Sequence, residues 1–372
     1  MQDAGPPATM AAVQQAVSFW DRRRAAVRTV TPYAGLLVIP AVLWAFLLKA
    51  TVDGGDLAFD FHHFFYPQAR DVLAGRVPAG TAYPAATSVL LAPFALLPRS
   101  VADVVVTLLA LACAIGTLRT LGVRDWRCYG AAALWGPLFS AVQTANLSLL
   151  LTLGVALVWR WRDRAALAGT SAAVVVALKL FLWPLVVWLA VGGRWRAAAM
   201  TLAVGVAGSA VAWGVVGLGV LTELPSSLYE MVQIDGARAY TPAALLRGIG
   251  LASPAAYTMA VAAGLAVLVG AAGAARRGRP AHSLTLVIAA ALTITPIAWT
   301  HYFTLLLVPV ALARPRFSPL WLAPLPMWLC PPTAGAVWQK AVVLGVAAAM
   351  IVVVTAGTDL HEEDRRPRLG TA

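Results

Sequence analysis

Residues 31–50 read TPYAGLLVIPAVLWAFLLKA, an apolar run of the length that an α-helix needs to cross the hydrocarbon core of a bilayer. Similar runs recur along nearly the whole chain, in which 60% of the 372 residues are hydrophobic and 12% are charged. The runs are continuous rather than alternating, which argues against a β-barrel. The composition therefore predicts an all-α, polytopic integral membrane protein with about 10–11 transmembrane helices.

The basic residues indicate how the chain is oriented. There are 28 Lys and Arg residues against 16 Asp and Glu residues, a net charge of +12, and the arginines concentrate in short segments between the apolar runs. This distribution is typical of cytoplasmic loops, so we expect membrane lipids as partners and no nucleic acid. The N-terminal segment 1–30 is predicted to be cytoplasmic, 31–50 an uncleaved signal anchor, 31–356 one membrane domain, and 357–372 a disordered cytoplasmic tail.

This orientation places two long polar segments, 51–83 and 221–255, on the outer side. Residues 84–98 are short for a span and contain three prolines, so we interpret them as a re-entrant or interfacial segment, with a short true span as the alternative. The runs predicted to cross the membrane include 129–142, 145–159 and 318–330.

The first outer segment contains DFHHFFYPQARDVLAG at residues 60–75. Asp60 is flanked by phenylalanines, and burial among them would raise its pKa towards that of a useful general base. The alternative is a solvated loop acid. His62 and His63 are candidates to bind a phosphate, or else polar residues at headgroup level. A metal site needs more converging ligands, so no metal is predicted.

Further polar residues fall at the predicted outer ends of spans. They are Tyr83, Asn146 in QTANLSLLL, Lys179 in ALKLFLWPL, and His301 in TPIAWTHYF. Lys179 is isolated from the arginine clusters and is a good phosphate partner, although snorkelling to water would also explain it. Because these residues and Asp60 come from separate segments yet share one face, a common site is predicted there.

Several motifs are absent from the sequence. It contains no glycine-rich phosphate loop, no dinucleotide-binding fingerprint and no Asp-x-Asp pair. The three cysteines show no metal-ligand or redox spacing. We therefore expect no cofactor and a donor whose phosphate is already attached to a lipid.

The ordered motifs resemble glycosyltransferase family 87, a family of GT-C membrane transferases typical of actinobacteria. The resemblance covers roughly residues 31–356. It rests on DFHHFFYPQARDVLAG, AYPAATSVLLAPFALLP, QTANLSLLL, LKLFLWPLVVWLAVGGRWRA and TITPIAWTHYFTLLLVP, in that order.

The resemblance implies a GT-C-like helical bundle and roles for matched residues. Asp60 would be the catalytic aspartate, His301 the histidine of a Pro-x-x-Trp-x-His pattern, and Asn146 the asparagine of a Gly-Gln-x-Asn motif. Tyr83-Pro84 matches a Tyr-Pro-Pro pattern in which Ala85 replaces the second proline, and Thr300 stands where the family has an aspartate. These departures bear on sugar or acceptor identity more than on the reaction class.

The combined prediction is an inverting transferase that moves mannose from a polyprenyl-phosphate donor to a lipid or cell-envelope glycan acceptor. Its site would lie on the extracytoplasmic face of the plasma membrane, with Asp60 as general base. The predicted substrate-binding residues are His62, His63, Tyr66, Tyr83, Asn146, Lys179 and His301. Alternatives are an arabinofuranose or glucose donor, a lipid or solute transporter, and a non-catalytic assembly partner.

Overall fold

The computed structural model describes residues 33–78 and 83–363. These residues form helices and connecting turns, with no strand in the described ranges, so the all-α prediction is confirmed. The predicted cytoplasmic segment 1–30 lies outside the described residues. The predicted tail 357–372 begins within the last helix, which ends at Glu363, and residues 364–372 are also outside the described ranges.

The α-helices of the described residues are labelled in chain order. They are α1 Gly35–Asp53, α2 Tyr66–Leu73, α3 Ala85–Leu91, α4 Arg99–Thr120, α5 Trp126–Ala133, α6 Gly136–Thr144, α7 Ser148–Arg160, α8 Ala165–Leu178, α9 Pro184–Val191, α10 Trp195–Val216, α11 Gly219–Asp235, α12 Pro242–Gly248, α13 Ser253–Arg276, α14 Pro280–Ile294, α15 Leu307–Ala313 and α16 Val337–Glu363. A π-helical turn covers Phe61–Phe65, and 3₁₀ turns cover Ala92–Leu96, Leu180–Leu182, Thr300–Leu306, Pro319–Leu322 and Leu325–Leu329.

Five described helices are long and apolar enough to cross a membrane, namely α1, α4, α10, α13 and the part of α16 up to Ala356. Large apolar side chains on three of them, Phe46, Val206 and Val269, are about 70% exposed, as expected for a lipid-facing surface (71%, 69% and 73%). A polytopic membrane protein is therefore confirmed. The remaining apolar helices are shorter, so the count of 10–11 spans stays a prediction.

Two predicted spans are wrong as continuous helices. The segment 129–142 is broken between α5 and α6, and α6 then meets α7 at a bend of 114°. The segment 318–330 forms only two 3₁₀ turns, because prolines at 319, 324 and 326 lack the N–H groups that a continuous helix needs.

The two outer segments contain more helix than predicted. The second contains α11 and α12, and the first contains the π turn and α2. Residues 84–98 form α3 and a following 3₁₀ turn, which agrees with a short, broken segment. Its depth in the membrane stays a prediction.

Helix α7 lies at the centre and packs against α4, α8 and the turn Thr300–Leu306. The hydroxyls of Thr152 on α7 and Thr304 in that turn are 3.2 Å apart. The ring N–H groups of buried tryptophans also form hydrogen bonds inside the protein. Trp135 Nε1, for example, donates to the Trp321 carbonyl at 2.7 Å. Such internal pairing is what a membrane interior demands. The packing fixes the N-terminal end of α7 beside the turn that contains His301.

The first long helix is anchored by a close approach to α5. Trp44 Nε1 on α1 donates to the Ala133 carbonyl at 2.6 Å. A Cβ built at Gly130 would overlap the backbone carbonyl of Leu36, so only glycine fits at this crossing.

We expect Gly130→Val to force α1 away from α5 and to destabilise the protein by roughly 1–3 kcal/mol, the usual cost of overpacking. Thermal unfolding in detergent would measure the loss. Gly214→Val is the matched control, because a Cβ there meets no atom within 4 Å. Equal melting temperatures for both variants would contradict the importance of this crossing.

Candidate active site

One cavity of about 710 Å³ gathers residues from distant parts of the chain. Its lining comprises Asp56, Phe59, Asp60, Phe64, Gln68, Tyr83, Gln143, Thr144, Ser227, Glu230, Met231, Ile234, Asp235, Arg238, Trp299, His301, Pro332 and Thr333. A single space is therefore lined by four separate parts of the chain: the first outer segment, the α6–α7 bend, helix α11 and the segment before α15.

The backbone around Asp60 is unusual and specific. Ala58 adopts a left-handed conformation (φ 57°), and its N–H donates to the Gln143 carbonyl at 2.8 Å. Asp60 then precedes the π turn, in which Phe61 and Phe65 are buried. π turns and left-handed non-glycine residues cluster at functional sites. The apolar anchors hold the turn, and the half-buried Asp60 lines the cavity.

Two polar residues at the α6–α7 bend, Asn146 and Thr144, lie beside Asp60 and lower its pKa. Asn146 Nδ2 donates to Thr144 Oγ1 at 2.6 Å, and Asn146 Oδ1 accepts from the Ser148 N–H at 2.7 Å. The second bond satisfies a free N–H at the start of α7. The left-handed Ala145 (φ 47°) turns the chain between them. The bend therefore orients Asn146 and connects α7 to Asp60.

Lys179 lies where α8 ends and the turn Leu180–Leu182 begins. Its ammonium is 3.9 Å from the ring centre of Tyr302 and 5.5 Å from that of Tyr83. No carboxylate of the described residues lies within ion-pair distance of it, although the charge of Asp60 acts on it. An ammonium held on aromatic faces keeps its charge available to an anionic ligand.

The environment brings the pKa values of Asp60 and Lys179 close together. Burial raises the pKa of Asp60 to about 6, against the opposing charge of Lys179 and the hydrogen bonds from Asn146 and Thr144. Burial lowers the pKa of Lys179 to about 7, and the charge of Asp60 opposes that fall. For Tyr83, burial and then the charge of Asp60 raise the pKa above its usual value. An acid and a cation that titrate near neutrality are typical of active sites.

His301 also lines the cavity, in the 3₁₀ turn Thr300–Leu306. Its side chain is buried, its ring centre is 5.2 Å from that of Tyr302, and its Nδ1 atom has no hydrogen-bond partner among the described residues. Buried polar atoms are normally paired. His301 therefore combines a place in the cavity lining with an enclosed, unsatisfied ring nitrogen.

His62 does not line the cavity, in contrast to its predicted contact with substrate. Its Nδ1 lies 2.8 Å from Asp103 Oδ2 and 2.9 Å from Arg99 Nε. That nitrogen either donates to the carboxylate or accepts from the guanidinium, depending on the tautomer. The contacts connect the π turn to the start of α4, so the geometry supports a structural role for His62.

His63 and Tyr66 are likewise not among the cavity-lining residues described. His63 is exposed, with Nδ1 3.1 Å from the Phe59 carbonyl. Tyr66 is buried against Phe61, and its hydroxyl donates to the Leu97 carbonyl at 3.0 Å. By contrast, Tyr83 and His301 line the cavity together with Asp60, and Asn146 and Lys179 lie close enough to Asp60 to affect its pKa without being among the lining residues.

The structure adds a charged wall that sequence reasoning did not assign to the site. Asp56 from the first outer segment faces the same cavity as Glu230, Asp235 and Arg238, and Arg238 pairs with Asp235 at 3.6 Å. A signal for it existed, because the sequence has no acidic residue between 236 and 358 and several in each outer segment. No group of three metal-ligating side chains suited to an ion occurs within residues 33–78 and 83–363.

The fold is that of a helical protein embedded in a membrane. The model of glycosyltransferase family 87 matches residues 81–300, which is more than half of the chain. The chain therefore belongs to this family and is a glycosyltransferase, as its motifs predicted. No curated protein and no solved structure matches the chain.

The matched range includes Tyr83, Asn146 and Lys179. It begins after Asp60 and ends one residue before His301. The roles of those two residues therefore depend on the geometry of the cavity.

The effect of the Lys179 charge on Asp60 predicts how the pKa of Asp60 changes when Lys179 is substituted. Because the lysine charge lowers the Asp60 pKa, Lys179→Met should raise it and leave more Asp60 protonated at pH 7. Labelling by a hydrophobic carbodiimide, which reacts with protonated buried carboxyls, would report this at Asp60 by peptide mass spectrometry.

The control is Arg238→Met, which removes a cation that lines the cavity and is already paired with Asp235. Labelling of Asp60 should follow the wild-type pH dependence in this control. An unchanged profile in Lys179→Met would show that the two groups are not coupled.

Proposed function

We propose that this glycosyltransferase moves a mannosyl group from a polyprenyl-phosphate donor to a hydroxyl of a lipid or cell-envelope glycan. The observation that carries the proposal is the cavity lined by both Asp60 and His301, together with the charge of Lys179, which acts on Asp60 from a third segment of the chain. This set contains a base and two groups suited to a phosphate.

The reaction needs one base and one stabilised leaving group. Asp60 accepts the proton of the acceptor hydroxyl while its oxygen forms a bond to the anomeric carbon. The bond from that carbon to the phosphate oxygen breaks, and the electron pair leaves with the polyprenyl phosphate. A single displacement of this kind inverts the anomeric configuration. A base with a pKa of about 6 accepts a proton effectively at neutral pH.

Lys179 and His301 are the proposed partners of the departing phosphate. The protonated lysine offsets the charge that develops on the leaving oxygen, and a histidine ring N–H can donate to a phosphate oxygen. Electrostatic stabilisation of this kind is often the largest single contribution to rate. The absence of nucleotide-binding motifs from the sequence favours a lipid-linked phosphate over a nucleotide sugar.

The remaining walls suit an uncharged sugar. Trp299, Phe59 and Phe64 supply aromatic surface, while Asp56 and Glu230 supply hydrogen-bond acceptors for hydroxyl groups. An acidic wall disfavours a second phosphate on that side. We therefore propose that the acceptor sugar lies along α11, and that the donor phosphate lies towards Lys179.

The proposed location is the extracytoplasmic face of the plasma membrane. Arginines at the far ends of α4, α7 and α13, namely Arg119, Arg160 and Arg276, support this orientation through the positive-inside rule. The same helices α4 and α7 begin beside the site, at Arg99 and Ser148.

The general base is tested by Asp60→Asn, which keeps the shape but cannot accept the proton. Membranes containing each protein would be given radiolabelled polyprenyl-phosphate mannose, and transfer to lipid or glycan would be measured. We expect transfer to fall at least about a hundredfold.

Asp71→Asn is the matched control, since Asp71 lies outside the cavity and pairs with Arg76 at 2.7 Å. Transfer that persists in Asp60→Asn would contradict the assignment of Asp60 as the base. Asp56 would then be the candidate, because it is the other aspartate of the first outer segment that lines this cavity. Asp53 instead pairs with Lys49 at 2.6 Å. If glucose or arabinofuranose is transferred in place of mannose, the proposed sugar is wrong and the base assignment stands.

The two pKa values predict a bell-shaped pH dependence of kcat/KM. Transfer should rise through about pH 6 as Asp60 loses its proton, and fall above about pH 7 as Lys179 loses its charge. Lys179→Gln should remove the alkaline limb and lower the rate throughout. An alkaline limb that persists unchanged in this variant would assign that titration to another group.

A further inference from the structure

A second cavity, of about 530 Å³, lies at the far ends of α4 and α7. Three arginines line it, Arg119, Arg124 and Arg160, together with Thr120, Gly122, Val123, Leu157 and Trp161. It shares no residue with the cavity around Asp60. Its lining combines concentrated positive charge with an apolar flank.

The three guanidinium groups have no ion-pair or hydrogen-bond partner within the described parts of the chain. The neighbouring acids in sequence are engaged elsewhere. Asp125 accepts from Arg127 at 2.8 Å, and Asp163 accepts from Arg194 at 3.0 Å. Like charges gathered around one space repel each other, so a bound anion would stabilise the arrangement.

The position of this cavity is set by the two helices that form it. Helix α4 runs from Arg99, near the π turn, to Thr120, and its 22 residues span about 33 Å. Helix α7 runs from the Asn146 bend to Arg160. Since α4 is apolar enough to cross a membrane, the arginine cavity lies at the opposite membrane surface from the Asp60 cavity.

We propose that this cavity binds the phosphate headgroup of an anionic phospholipid. The guanidinium groups of Arg119, Arg124 and Arg160 match a phosphate in charge and in planar hydrogen-bonding geometry. Half-buried Leu157 offers apolar contact where an acyl chain begins, and Trp161 is a side chain typical of the membrane interface. Basic pockets at the cytoplasmic ends of membrane helices bind anionic headgroups in this way. The site is independent of the transfer reaction.

The test uses the full chain, purified in detergent and stripped of lipid. It is offered equal amounts of dioleoyl-phosphatidylglycerol and dioleoyl-phosphatidylcholine, and bound lipid is counted by native mass spectrometry. We expect the wild type to retain the anionic lipid in about tenfold preference. The variant R119Q/R124Q/R160Q should lose that preference.

The matched control, R276Q/R277Q/R316Q, removes three exposed arginines outside the cavity and should keep the wild-type preference. The proposal is overturned if the cavity variant still prefers the anionic lipid, or if the control loses the preference equally. It is also overturned if inorganic phosphate at equal concentration displaces the lipid, because the site would then recognise a free anion. Gel filtration and thermal unfolding of both variants identify a folding defect, and R119Q/R160Q alone repeats the test if the triple variant unfolds.

Discussion

The electrostatic interaction between Asp60 and Lys179 is the constraint on which the site depends. Each charge is unfavourable to bury alone, and burial moves their pKa values towards each other. Asp60, Asn146 and Lys179 are brought near one another by the π turn that follows Asp60, the α6–α7 bend and the end of α8. The result is a carboxyl group and an ammonium group whose pKa values both lie near neutrality.

The long helices and the short elements between them lie in different environments. The long helices have apolar, exposed faces suited to lipid, whereas the site is formed by bends and short turns between them. Irregular backbone is tolerated at membrane depth only where protein or a cavity covers it. The packing of α7 against α4, α8 and the turn with His301 provides that cover. Apart from the side chains of α11, the cavity is therefore lined mainly by residues of bends, turns and helix ends.

Much of the site could be predicted from the sequence, because polar residues at the ends of apolar runs are rare and stand out. This signal predicts Asp60, Tyr83, Asn146 and Lys179 as site residues, and the structure places all four in one region. His62 follows Asp60 closely in sequence, yet its side chain points to Asp103 because successive residues of a helical turn face different directions. Glu230 and Asp235 line the cavity because α11 packs beside it. No local sequence pattern indicates this tertiary contact, so the sequence alone could not predict it. The predicted span 318–330 failed since hydropathy does not register the effect of proline on helix continuity.

The unpaired Nδ1 of His301 has a consequence for stability. An enclosed ring nitrogen with no partner among the described residues makes the ligand-free protein less stable than its packing alone would allow. With the role proposed for His301, this turn would sacrifice some stability for function, as often happens where a fold retains unsatisfied groups. A donor phosphate that bonds to His301 and Lys179, as proposed above, would act as a folding ligand and stabilise the protein by an amount that grows with the logarithm of its affinity.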